Sequence, residues 1–473
     1  MDHVALRLIA CTLLAVGAQT PAAAAAETPT LRVDYFHTGG RGVDAYALDR
    51  VVVEPLPWPG NPARTVDDTN LGGFRFEVRD TSGKLVYSRG YDTVYAEWES
   101  TAEAATEHRT FAASLRFPMP SGPVTVTVQK RDAEQRFVDA WTFKVDPSDP
   151  YVLHAPPPRQ DLIEVERHGP SPDKVDVLLL GDGYTAAECA TKFQADVKRA
   201  VDALFGHEPF RSRRADFNVW GLCPPAAVSG ISRPSTGIER RSPVGATYDA
   251  FGSERYILTF DDRALRDVAS WAPYEFLTIL TNSESYGGGG IFGDFSTFAA
   301  GNDWSDYLFV HEFGHHFAAL ADEYYTSPVA YEPQSRIVEP WQPNVTASAD
   351  PATLKWKQRV TAGTPLPTPW PKEAFEAKQR EFQARRKEIR AQRRPESEMS
   401  ALFREERAYT SRLFADARYR ESVGAFQGAN YDAKAFYRSQ LDCVMFTRDE
   451  VPFCRVCQDG LSHLIDLYAG PPR

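Results

Sequence analysis

Positive charge, sulfur and long apolar runs are all scarce in this chain. Across 473 residues, 53 Lys and Arg stand against 64 Asp and Glu, a formal net charge of −11. That balance offers no basic surface for a phosphate backbone, so nothing points to nucleic acid. Beyond the N-terminal leader no stretch approaches the 18 apolar residues of a membrane span. Only six cysteines are present. Five follow the leader, at 189, 223, 443, 454 and 457, so at most two disulfides can form within one chain. Otherwise 25% charged and 42% apolar residues describe an ordinary, moderately acidic globular protein.

The first 26 residues read as a cleavable signal peptide. Arg7 precedes an apolar run from Leu8 to Val16, and the stretch from Pro21 to Ala26 suits a signal peptidase, leaving Glu27 to begin the mature chain. A secreted or periplasmic protein follows. Leu8-Ile9-Ala10-Cys11 has the look of a lipidation box but lies inside the apolar run, so lipoprotein anchoring is the second reading. The remaining length accommodates two or more domains. Oligomeric state is not legible.

Residues 27–150 alternate apolar and polar side chains between frequent turn signals, as in Leu31–Phe36, Phe74–Val78 and Val124–Val128, which predicts an all-β sandwich. Ala155-Pro156-Pro157-Pro158 reads as a stiff linker. Residues 161–473 change to an α/β pattern. Val177–Leu180, Phe217–Trp220 and Phe276–Leu280 are strand-like, and Thr185 with Glu188 forms a capping box opening a helix toward Phe205. Within that domain, residues 371–420 predict an inserted helical hairpin. Phe375, Phe382 and Ile389 are spaced by seven, Pro395 interrupts, and Met399, Leu402, Phe403, Leu413 and Phe414 mark a second amphipathic helix. Its basic residues suit a solvated face.

His311-Glu312-Phe313-Gly314-His315 carries the chemistry. On a helix, residues four apart share a face, so two imidazoles can reach one metal ion while Glu312 holds the water that zinc polarises. The competing reading is a surface helix with two histidines. A catalytic zinc needs a third protein ligand, and Asp322 is the nearest candidate. On a straight helix it would lie about 10 Å beyond His315 along the axis, so the chain has to turn between Phe317 and Asp322. Glu323 is the alternative ligand. Upstream, Gly287-Gly288-Gly289-Gly290 precede a segment, Gly290 to Phe298, expected to form an edge strand that docks an extended peptide. Tyr437 and Tyr324 are candidates to donate a hydrogen bond to a developing oxyanion, with a packed core tyrosine the commoner state for either taken singly. Cys443 is expected to pair with Cys454 or Cys457; a structural zinc on Cys443, Cys454, Cys457 and His463 is the alternative.

The chain resembles the bacterial IgA-peptidase family of secreted zinc metallopeptidases. The likeness rests on Leu179-Leu180-Gly181-Asp182-Gly183-Tyr184-Thr185, the glycine run, the histidine motif continuing to Leu320-Ala321-Asp322-Glu323-Tyr324, and Val423 to Tyr431. Asp442-Cys443-Val444-Met445 and Leu31 to Gly39 extend it. The resemblance implies a zincin-type, metzincin-like catalytic domain behind an N-terminal β-sandwich, with Met445 on a turn beneath the metal. It further implies a zinc endopeptidase acting on protein or peptide substrates, with Zn2+ on His311, His315 and Asp322 and Glu312 as general base. Members usually carry glycine just after the second histidine's turn, where Ala318-Ala319 stand here. Two other functions stand as alternatives: a non-catalytic glycan- or protein-binding module with a vestigial zinc domain, against which the intact His311, Glu312 and His315 argue, and a zinc amidase acting on cell-wall peptides, which uses the same water-activating chemistry.

Overall fold

A computed structural model describes residues 28–331 and 336–471. The leader assigned to residues 1–26 lies outside the described residues. The architecture is mixed α and β, with a β-rich N-terminal region followed by an α/β region.

The N-terminal region is built from β1 (Pro29–Gly40), β2 (Val43–Pro57), β3 (Phe74–Arg79), β4 (Leu85–Tyr91), the short helix α1 (Val94–Glu99), β5 (Arg109–Pro118), β6 (Val124–Arg131) and β7 (Phe137–Val145). Two antiparallel sheets result, in the orders β2-β1-β5 and β4-β3-β6-β7. Strand alternation explains their facing. On β6, Val124, Val126 and Val128 are buried, and they meet Leu31, Val33 and Tyr35 of β1 and Leu115 and Phe117 of β5 in one core.

The α/β region continues with β8 (Ile163–Glu166), β9 (Val175–Asp182), α2 (Ala186–Cys189), α3 (Lys192–Leu204), β10 (Phe217–Leu222), α4 (Asp262–Ala269), β11 (Phe276–Thr281), β12 (Gly288–Ile291), β13 (Phe295–Ala299) and α5 (Ser305–Ala318). The sheet order is β12-β13-β11-β9-β10-β8; β13, β11, β9 and β10 run parallel, and the outer strands β12 and β8 are antiparallel to their neighbours. Every residue of β9 is buried because both faces are covered. Val177 and Leu179 pack toward α3 and α5, whereas Leu178 and Leu180 pack toward α4 and α1.

The capping box at Thr185 and Glu188 is present, but it opens only the single turn α2; the longer helix restarts at Lys192. The expected strand from Gly290 to Phe298 is also divided. Gly293 takes φ +67° and turns the chain, so the sheet edge is β12 while β13 lies inside the sheet. An apolar run alone does not reveal that turn.

The chain then passes through β14 (Val345–Thr346), α6 (Lys372–Ala391), α7 (Glu396–Ala415), β15 (Phe426–Ala429), β16 (Asp432–Arg438) and α8 (Arg455–Ala469). Helices α6 and α7 run antiparallel: Arg390 pairs with Glu396 at the closed end, and Phe375 stacks on Phe414 at the open end. Pro395 is the N-cap of α7 and begins that helix, whereas α6 already stops at Ala391, before the left-handed Arg393 at φ +49°. Arg386 departs from the solvated face, being buried against the rings of Tyr286 and Phe403.

The disulfide assignment needs correction. Cys189 and Cys223 form the bond, tying α2 to the end of β10. Cys443, Cys454 and Cys457 are unbonded and buried, and Cys443 Sγ lies 3.8 Å from Cys457 Sγ. His463 is exposed on α8 and stands apart from them.

Buried charge joins the two regions. Arg32 donates to Asp34 at 2.8 Å and to Asp267 of α4 at 2.5 Å, and Arg116 donates to the Tyr274 carbonyl at 2.8 Å. Removing one partner from such a set leaves an uncompensated charge, at a cost of about 3–5 kcal/mol where the site is fully buried.

Helix α5 ends at Ala319, whose backbone is left-handed at φ +53°, ψ +32°. An L-residue pays about 1–2 kcal/mol there. The expected stability order at position 319 is therefore Ala319→Gly at or above the parent, and Ala319→Val at least ~1 kcal/mol below it. In a helix interior glycine would instead fall ~1 kcal/mol below alanine. Urea unfolding midpoints check the order; Ala319→Gly unfolding clearly before the parent would contradict it.

Candidate active site

Helix α5 is anchored by Leu308, Phe309, Phe313 and Phe317, which bury against the sheet face that α3 also covers. Its other side presents His311 and His315, one turn apart, with Nε2 atoms 3.2 Å from each other. Each ring is oriented by a main-chain carbonyl. His311 Nδ1 donates to Val444 O at 3.0 Å, and His315 Nδ1 donates to Leu320 O at 2.5 Å. A carbonyl can only accept, so both rings carry their proton on Nδ1 and direct an Nε2 lone pair inward.

The left-handed residue Ala319 reverses the chain, and Ala319 N and Leu320 N bond back to the carbonyls of His315 and Gly314. The returning segment is pinned at each residue. Asn344 bonds both the N–H and the carbonyl of Ala321. Asp322 O accepts from Asn430 N, Glu323 N donates to Met445 O, and Tyr324 O accepts from Tyr431 N. Asn430 and Tyr431 are both left-handed, at φ +48° and +64°, and form the tight turn between β15 and β16.

This path brings Asp322 Oδ1 to 3.0 Å from His311 Nε2 and 3.3 Å from His315 Nε2. Oδ1 is buried and receives no hydrogen bond, whereas Oδ2 accepts from the Tyr431 hydroxyl. Two inward lone pairs and a carboxylate oxygen repel unless a cation or proton sits among them. Three ligands around a tetrahedral ion with bonds of about 2.0–2.1 Å are separated by about 3.3 Å, so the triangle fits a metal. Without metal, a proton answers the same demand: burial opposes it, but Asp322 lifts His315 to about 9. Asp322 itself lies well below the usual carboxylate range; burial opposes that shift and the two imidazoles outweigh it.

Glu312 has a ligand atom within 4.8 Å of those of both histidines, yet it stands farther from them than Asp322 does. Burial raises its carboxyl above the ordinary value, opposed by the two imidazoles. Across from it runs β12. A Cβ at Gly290 would meet Glu312 O at 2.3 Å, and one at Gly288 would meet Glu312 Cγ at 2.9 Å. Glycine here is a condition of the strand lying against α5. Arg255 O and Ile257 N cover Gly288, and Gly289 and Gly290 line the cleft.

The cleft is about 430 Å³. Tyr324 lies along it, its ring stacked over His311 with centroids 6.2 Å apart, and its hydroxyl accepts from Arg255 at 3.1 Å. The N-terminal region supplies a wall through Asp92 and Glu97; Glu97 accepts from the hydroxyls of Tyr256 and Tyr331. Behind the histidines, Met445 is fully buried, and its Sδ would lie 3.0 Å from a Cβ on Gly314.

His311, Glu312, His315, Asp322 and Tyr324 thus converge. Tyr437 does not join them: it sits on β16 opposite Thr346, outside the cleft lining. Glu323 points away from the histidines toward the three cysteines. Sequence reasoning passed over Tyr431 and Arg255. The Asn430-Tyr431 pair stands out in the sequence only as part of the family likeness, and Arg255 lies in a loop with no pattern around it.

Residues 163–465 match the family profile described as IgA Peptidase M64, and residues 23–142 match the one described as Peptidase M64 N-terminus. No curated protein matches the chain.

His311→Ala should cost one equivalent of bound divalent metal per chain, and Tyr431→Phe should weaken that equivalent about 10- to 100-fold by freeing Asp322 Oδ2. Metal analysis after dialysis against graded chelator reads both. Full metal content in His311→Ala would dismiss the centre.

Proposed function

The chain belongs to the IgA Peptidase M64 family, and on that premise we propose that it is a secreted zinc endopeptidase with a metzincin-like catalytic domain. The observation that carries the reading is the inward triangle of His311, His315 and Asp322, with Glu312 beside it and a glycine strand opposite. Zinc held by those three residues supplies Lewis acidity at neutral pH.

An extended peptide lies along β12 and pairs with the strand beyond Gly288, whose N–H and carbonyl are already bonded to Arg255 and Ile257, while the missing side chains at Gly288 and Gly290 hold the strand close against α5. Glu312 takes a proton from the attacking water and passes it to the departing amine. Its buried position, which raises its pKa, suits a group that must first accept and then give. Tyr324 accepts its hydrogen bond from Arg255, so its own proton remains available for the oxygen that gains charge at the scissile carbonyl. Tyr431 fixes Asp322, and the carbonyls of Val444 and Leu320 fix the two imidazoles. The substrate is a protein or peptide. Against the binding-module reading stands the intact acid beside the histidines; against the amidase reading stands the match to a peptidase family over residues 163–465.

Glu312→Gln should retain metal and fold while losing hydrolysis of a mixed peptide library by about 10²–10⁴-fold. Tyr324→Phe should lower kcat about 100-fold with little change in KM. Near-normal turnover by Glu312→Gln would remove it as the base and end this reading.

A further inference from the structure

Behind the cleft lies a second group of metal-competent atoms. Glu323, Cys443, Cys454 and Cys457 are all buried, and each offers a ligand atom within 4.8 Å of the others. Cys454 is the N-cap of α8 and Cys457 lies in its first turn, so a Cys-x-x-Cys pair sits at a helix start. Cys443 belongs to the turn that carries Met445, and Glu323 follows Asp322 directly.

We propose that these four residues bind a second, structural zinc-class divalent ion, distinct from the ion at the histidines. Three of the six pairwise spacings match those of a tetrahedral site, and all six lie within 4.8 Å. With Zn–S near 2.3 Å and Zn–O near 2.0 Å, ligand atoms stand about 3.8 Å apart for two sulfurs and about 3.5 Å for sulfur and oxygen. Here Cys443 Sγ and Cys457 Sγ are 3.8 Å apart, and Glu323 Oε1 lies 3.6 Å from Cys454 Sγ and 3.3 Å from Cys457 Sγ. A disulfide would need sulfurs about 2.0 Å apart.

The surroundings are arranged for thiolates. Main-chain N–H groups of Met445 and Cys454 point at Cys443 Sγ, at 3.5 and 3.2 Å, and that of Cys457 points at Cys454 Sγ at 3.4 Å. Such donors compensate negative sulfur in a dry interior. Glu323 is 0% exposed; Asn344 donates to its Oε1 at 3.1 Å, while its Oε2 has no hydrogen-bond partner. A buried carboxylate oxygen without a donor needs a cation to balance it. Three sulfurs with one carboxylate select zinc over the harder magnesium or calcium.

Its role would be positional. The ion would clamp together three segments: the one bearing Asp322, the turn whose Val444 carbonyl orients His311, and the start of α8. Glu323 N already donates to Met445 O at 2.9 Å, so the ion would close a link between the first two that the backbone begins. Binding exchanges thiol protons for the metal, which couples this part of the fold to metal supply.

This proposal stands apart from the peptidase reading, and its test separates the two. The wild-type protein should hold two zinc equivalents per chain. His311→Ala should hold one, and that one should be released by a mercurial thiol reagent. Cobalt-loaded His311→Ala should show a thiolate-to-cobalt charge-transfer band in the near ultraviolet, whereas Cys457→Ser should lose one equivalent and the band. If Cys457→Ser fails to fold, the wild-type count and the cobalt spectrum of His311→Ala decide the matter. A single zinc in the wild type that His311→Ala loses, a cobalt spectrum of His311→Ala without the band, or a disulfide among these cysteines found by peptide mapping would overturn it. Hydrolysis lost by Glu312→Gln with both zinc equivalents kept would leave this proposal intact.

Discussion

The reversal after α5 is the constraint on which the rest depends. A straight helix would carry Asp322 away from the histidines, and the left-handed residue Ala319 turns it back. Alanine accepts that conformation at a cost, which the surrounding contacts must offset. They do so by holding at least one backbone group of each residue of the returning segment: Asn344 takes Ala321, Asn430 takes Asp322, Met445 takes Glu323 and Tyr431 takes Tyr324. The ligand position is therefore set by four main-chain anchors drawn from distant parts of the sequence.

Those anchors hold an arrangement that is electrostatically unfavourable on its own. Two Nε2 lone pairs and Asp322 Oδ1 meet within 3.3 Å in a buried place. Carbonyls behind each imidazole fix the tautomer that makes the clash, and Tyr431 holds Asp322 from behind. A fold that spends hydrogen bonds in keeping like-signed atoms together is preorganised for a cation. The same logic recurs at Glu323, where the buried acceptors are sulfurs and the donors are main-chain amides.

What could be read from the sequence follows from whether a feature is local. His311 and His315 announce themselves by helical spacing, and the need for a turn before Asp322 follows from helix rise alone. The spacing of Phe375, Phe382 and Ile389 likewise encodes one buried helix face, and all three are buried. The cysteines show the limit. Cys443, Cys454 and Cys457 offered several pairings of compatible spacing, and only the tertiary placement of Glu323 among them distinguishes a cluster from a bond. Tyr431 and Tyr437 differ by six residues in one hairpin. Which of them reaches the cleft depends on a left-handed turn at Asn430-Tyr431 that neither residue type advertises. The split of Gly290 to Phe298 rests in the same way on one glycine at φ +67°.

The N-terminal region belongs to this argument because it does more than precede the α/β region. Buried Arg32 and Arg116 fasten the sandwich to α4 and to the loop at Tyr274, which fixes where α1 can lie. Helix α1 then packs its Val94, Tyr95 and Trp98 into the core on the sheet face opposite α5. That leaves Glu97 facing the cleft, where Tyr256 and Tyr331 both donate to it. Tyr256 comes from the loop that covers Gly288 of β12. The edge strand and the wall across from it are thus joined through a single buried carboxylate. Rearranging the N-terminal region would move Glu97 and disturb the strand on which an extended chain would lie. The cleft is a property of both regions together, lined by Asp92 and Glu97 from one and by the histidines and β12 from the other.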